Sequence, residues 1–160
     1  MENRTIVTLG VVALAVVGGA FVFDVFFAAE ASTTADPAPL PENATVLSEG
    51  RFEGTAGHDV SGRVQLFELD GVHYLRFVEY EQTQGPDVFV YLTPAADPDT
   101  GAEIAAGRKV LIDGGADGGE STVEGTFVQR LPDDVDPTAY SGVGIWCDRF
   151  RTPFGLATLR

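Results

Sequence analysis

The chain has 160 residues, enough for one packed domain and an appendage. Its formal net charge is -14, and Lys109 is the lone lysine beside nine arginines. So acidic a surface repels the phosphates of nucleic acid and gains nothing from anionic lipid headgroups; it reads as the hydrated shell of a protein adapted to high salt.

The first predicted element is a membrane helix. From Thr5 to Phe23 the chain carries no charge, and as a helix this run spans roughly 28 Å, about the hydrocarbon thickness of a bilayer. Arg4 precedes it, while Asp24, Glu30, Asp36 and Glu42 follow. The positive-inside bias therefore places the N-terminus in the cytoplasm and the rest of the chain outside. Ala29-Glu30-Ala31 also fits a signal-peptidase site, which would yield a secreted domain instead. The apolar run exceeds the usual signal-peptide core of about 7–15 residues, so residues 1–27 read as a retained anchor crossing the cell membrane once, with residues 5–27 in the lipid. No cysteine directly follows this run, which excludes a lipid-anchored lipoprotein.

Residues 28–47 are rich in Ala, Thr and Pro, and Pro37, Pro39 and Pro41 discourage helix and ladder alike. They read as a disordered linker that carries the glycosylation sequon Asn43-Ala44-Thr45. Residues 48–160 have the sequence of an all-β domain, an antiparallel β-sandwich or small barrel. Arg63–Leu69 and Val72–Val78 flank Asp70-Gly71, the pair that a type I′ hairpin turn prefers. That turn pairs Leu69 with Val72 and Leu66 with Leu75, putting Val64, Leu66, Leu75 and Phe77 on one face. Gln65, Phe67, Tyr74 and Arg76 then share the other. Further strands are expected over Val88–Leu92 after Pro86, Lys109–Ile112, Thr126–Leu131, Val143–Cys147 and Phe154–Leu159. A helical turn is expected at Glu103–Ala106.

The most unusual stretch is Tyr140–Phe150, which holds the only Trp and the only Cys. In a strand, Val143, Ile145 and Cys147 face one way and Gly144, Trp146 and Asp148 the other. Elsewhere the chemistry is sparse. Asp97–Glu103 and Asp113–Glu120 are acidic loops without the remainder of a calcium motif, and read as solvated turns. His58, His73 and Cys147 are too scattered for a zinc site, so no metal is expected. No G-x-S-x-G hydrolase motif and no phosphate-binding glycine loop occurs. The chain reads as a carrier or binding module rather than a turnover enzyme.

Several blocks come together in one family's order: Gly50-Arg51-Phe52, His58–Gly62, the Asp70-Gly71 hairpin ending in Leu75-Arg76-Phe77, Gly85–Leu92, Val143–Cys147 and Phe154–Ala157. Over residues 48–160 the chain resembles the DM-thirteen domain, an extracytoplasmic β-rich domain often found beside haem-binding DOMON domains. The resemblance implies electron transfer, with Cys147 acting as a free redox thiol or as the ligand of a prosthetic group such as haem. Trp146 and His58 are the other residues that would line such a group. With no DOMON domain in the sequence, the redox partner implied is a separate protein. A second function class stays open, a non-enzymatic binding or structural β-domain in which Cys147 only packs.

Overall fold

A computed structural model describes residues 33–35, 39–115 and 123–160. In chain order the strands are β1 (Thr33–Ala35), β2 (Thr45–Arg51), β3 (Glu53–Gly54), β4 (Val60–Leu69), β5 (Val72–Gln82) and β6 (Val88–Thr93). A short helix α1 (Gly101–Ala105) follows, then β7 (Arg108–Val110), β8 (Val123–Arg130), a 3-10 turn (Pro137–Ala139), β9 (Gly142–Cys147) and β10 (Thr152–Thr158). One sheet has the order β1-β8-β5-β4-β2 and the other β3-β10-β9-β6-β7. Every pairing is antiparallel except that of β1 with β8. Two separate ladders sharing one core are the layers of a sandwich, not a closed barrel.

The membrane helix expected over residues 1–27 lies outside the described residues, as does most of the Asp113–Glu120 loop. Among the described residues no helix is long and apolar enough to cross a membrane. Two strands fall in the stretch read as linker: β1 pairs with the edge of β8, and β2 begins at Thr45. Thr33 and Thr34 in β1, and Thr45, Val46 and Leu47 in β2, are strand formers on which the proline count had no bearing.

The hairpin between β4 and β5 has the expected register, Leu69 opposite Val72 and Leu66 opposite Leu75. Asp70 and Gly71 take φ values of 52° and 78°, the two left-handed residues that this turn demands. Val64, Leu66, Leu75 and Phe77 are buried in the shared core with Val88, Val90 and Leu92 of β6, Val143, Ile145 and Cys147 of β9, and Ala157 of β10. On the opposite face Arg76 donates to Gln65 Oε1 at 2.9 Å, and Phe67 stacks on Tyr74 at 5.1 Å. Gln65→Ala is expected to lower stability by less than about 1 kcal/mol in chemical denaturation, because its partners can be rehydrated on that face. A loss as large as that of a core truncation would show the register to be wrong.

Within the β4–β5 hairpin the alternation breaks at Gly62, and it breaks usefully. Gly62 bulges with φ 99°, and a Cβ there would lie 2.5 Å from the Glu79 carbonyl oxygen. Register shifts at Ser61/Arg63 and at Phe77/Tyr80 move the inward phase by one residue. Tyr80 and Gln82 consequently follow Phe77 into the interior, where the Tyr80 hydroxyl donates to Gln82 Oε1 at 2.6 Å.

Candidate functional site

Strand β9 is the middle strand of its sheet, with β10 on one side and β6 on the other. All six of its residues are buried, since the core covers one face and α1 the other. Gly144 makes the second contact: a Cβ there would meet Ile104 Cδ1 at 2.7 Å. A capping box holds α1 in place, with the Glu103 carboxylate accepting from Thr100 N–H at 3.0 Å and the Glu103 N–H donating to Thr100 Oγ1 at 3.3 Å. The Thr100 hydroxyl, which donates to Glu103 Oε2 at 2.6 Å, and then the Thr100 N–H draw the Glu103 carboxyl below its ordinary range.

On the inner face Cys147 is 0% exposed. Its thiol donates to the Pro86 carbonyl at 3.1 Å, and the Phe150 N–H donates to its sulfur at 3.4 Å. The Gly85-Pro86-Asp87 and Trp146-Cys147 blocks are therefore in direct contact. Val88 pairs with Cys147, the Asp148 N–H donates to the Asp87 carbonyl at 2.9 Å, and Arg149 Nε donates to the Asp87 carboxylate at 2.7 Å. The turn from Asp148 to Arg151 folds back over the thiol with Arg151 at φ 52°. It presents Phe150 outward, 58% exposed.

His58 does not reach the thiol. Its ring stacks on Phe154 at 3.6 Å, and Phe154 is the residue through which it touches the core. His73 lies 3.8 Å from Glu68. Trp146 shares its outer face with Tyr91 and Ile104, with Phe89 packed against them. Thus Trp146 and Cys147 are neighbours in sequence on opposite faces of the sheet, and His58 joins neither. A haem held by Cys147 needs a thiolate lone pair aimed into open space. The sulfur is enclosed and already bonded on both sides, and none of the three surface cavities described below touches it. The residues as arranged do not fit that group.

The outer face carries a polar cluster that sequence reasoning missed. The Tyr91 hydroxyl donates to both Asp148 oxygens, at 2.8 and 3.1 Å, and Lys109 Nζ donates to Asp148 Oδ2 at 2.5 Å. Lys109 also sits 3.6 Å above the Phe89 ring centroid. Burial, then the hydrogen bond to Asp148, then its charge push the Tyr91 phenol well above its ordinary value. A group held neutral in the fold adds stability that is present in full below the unfolded pKa, about 10 for Tyr, and is lost as pH rises beyond it. Thermal melts of Tyr91→Phe are expected to fall less steeply above about pH 10 than those of the wild type; parallel slopes would contradict this.

Tyr91, Ile104, Trp146, Asp148 and Arg151 line a cavity of about 300 Å³ beside α1. A larger one of about 630 Å³ lies elsewhere, between Arg51, Arg63 and Arg160 on one hand and Glu49, Glu53 and Asp97 on the other. A third of about 360 Å³ is lined by Asp59, Glu81 and Glu124 among others. The local signals for the missed cluster were thin: Lys109 is the only lysine, and Asp148 adjoins the Trp-Cys pair. Nothing in the sequence pairs Tyr91 with a carboxylate 57 residues away.

Fold and site together define a small all-β sandwich domain whose one thiol, one indole and one carboxylate-bonded phenol gather at a central strand. The chain belongs to the DM13 electron-transfer family: the family model described as Electron transfer DM13 matches residues 51–159. That membership indicates a redox-related role. No curated protein and no solved structure matches the chain.

Proposed function

We propose that the chain is a membrane-tethered, extracytoplasmic electron-transfer domain that exchanges electrons with a separate redox protein. The family match carries the redox part of this reading. The charge-free Thr5–Phe23 run and the acidic residues after it support a single-pass anchor in the cell membrane with the β domain outside. The electron would be held by an oxidisable side chain of β9 or of its neighbour β6. Titration of the purified full-length protein with one-electron mediators should show reversible uptake and release of an electron. A flat titration across the accessible range would sink the redox reading.

The second reading is a binding or structural domain, and the burial of Cys147 favours it. A sulfur that packs with Val143 and Ile145 and is bonded to two backbone groups behaves as a small core residue. It then leaves the electron, if there is one, to another side chain.

The tether has its own test. The protein is expected to fractionate with membranes, and protease added from outside should release a domain that keeps β2 to β10, about residues 45–160. Recovery of a mature chain beginning near Ser32 would instead make the protein secreted, through cleavage after Ala31.

A further inference from the structure

We propose that Tyr91 is the side chain that gives up the electron, and that Asp148 takes its proton in the same step. This inference rests on the electron-transfer reading and deepens it. A buried side chain oxidised by one electron must lose a proton, since the low-dielectric interior penalises a radical cation. What decides among the oxidisable groups at β9 is therefore where the proton can go.

Cys147 donates its S–H to an amide carbonyl, which is no base. Trp146 has no carboxylate hydrogen-bonded to its indole N–H among the described residues. Tyr91 alone points its O–H at a carboxylate, with both Asp148 oxygens within 3.1 Å. Such contact is the geometry that proton transfer requires.

The step balances. The Tyr91 O–H bond breaks, and an O–H bond forms on Asp148. One electron passes to a high-potential metal centre in the partner protein, which is reduced by one unit. Tyr91 remains as a neutral phenoxyl radical, so no charge is created on the buried ring. Lys109 supplies the return. Its ammonium donates to Oδ2 at 2.5 Å, and this ion pair is re-formed when the radical is reduced and the proton returns to the Tyr91 oxygen. Asp148 and Lys109 are each about a third exposed, which lets water rearrange around them as their charges uncouple. Arg151, on the rim of the same cavity, adds positive charge that acts in the same sense. Trp146 belongs to the same buried cluster as Tyr91.

The test is flash oxidation of the full-length protein by photogenerated ruthenium(III) tris-bipyridyl, followed by electron paramagnetic resonance and transient absorption. A neutral tyrosyl radical is expected whose formation slows in heavy water and does not depend on pH near neutrality. Tyr91→Phe should abolish that signal. Asp148→Asn, which keeps an acceptor oxygen but cannot take the proton, should slow its formation by at least about tenfold and make the rate depend on pH and buffer. An undiminished radical in Tyr91→Phe, or an unchanged rate in Asp148→Asn, overturns the proposal. So does a wild-type rate that is indifferent to deuterium, which decides the matter even where a variant folds poorly. Oxidation landing on Trp146 or Cys147 removes Tyr91 while leaving the electron-transfer reading intact. Absence of any protein-centred oxidation, together with a flat mediator titration, removes both.

Discussion

Phe77→Ala is expected to destabilise the domain by about 3–5 kcal/mol, the largest loss of any substitution considered. Phe77 is fully buried at the centre of the aromatic packing. It stacks on Phe127 at 4.5 Å, lies parallel to Phe52 at 6.0 Å, and meets Tyr80 edge-on at 5.2 Å. Removing the ring deletes its own transfer free energy and strips three partners of contacts they cannot replace. Collapse into the void is hindered because Phe52 and Phe127 are held by different backbone segments, and Tyr80 is fixed by its bond to Gln82. Leu75→Ala, in the same row, should cost about 2–5 kcal/mol. Urea denaturation measures both, and a loss below about 1 kcal/mol for Phe77→Ala would mean that this face is not the core.

The second large effect belongs to Cys147. The native thiol is expected to react with a thiol reagent only as fast as the Asp148–Arg151 turn opens, and fully only in the unfolded chain. Cys147→Ser should cost about 1–3 kcal/mol. The hydroxyl can still donate to Pro86, but its shorter bond draws the oxygen away from the Phe150 N–H and leaves sulfur-sized space behind. Rapid labelling at neutral pH, with stability unchanged by the substitution, would show the thiol to be open and return it to the redox role implied by family resemblance.

The parts of the fold that were legible in the sequence are those set by neighbours in the chain. Asp70-Gly71 specifies a turn, the turn specifies a register, and the register predicts which side chains of β4 and β5 are inside. The same period of two placed Val143, Ile145 and Cys147 on the inner face of β9 and Trp146 on the outer. A residue that changes phase was not legible. Gly62 and Glu79 form their bulge across two strands, and either alone reads as ordinary strand. The helical turn expected at Glu103–Ala106 starts earlier, at Gly101, where Thr100-x-x-Glu103 spells its capping box.

The candidate site divides in the same way. Cys147 and Trp146 were singled out because each is unique in the chain. Their surroundings were not legible: the thiol's partners come from Pro86, 61 residues away, and from a turn that doubles back. The Tyr91–Asp148–Lys109 cluster is assembled from three strand regions that only the sheet order brings together. His58 enters through the family resemblance, which carries no information on its neighbours, and its ring stacks on Phe154.

The parallel pairing of β1 with β8 has a consequence for range. If the proposed anchor ends at Phe27, only the five residues from Ala28 to Ser32 separate the lipid from a strand already docked on the sandwich. Fully extended, five residues reach at most about 18 Å. With β1 undocked, the leash would run to Ala44 and reach about 60 Å. On the proposed tethering, three ladder positions, Thr33 with Val123, Thr34 with Glu124 and Ala35 with Gly125, would set the radius within which the domain could meet a partner. A docked β1 would confine that meeting to a thin layer over the bilayer, where a partner fixed in the same membrane would be encountered far more often than one diffusing freely.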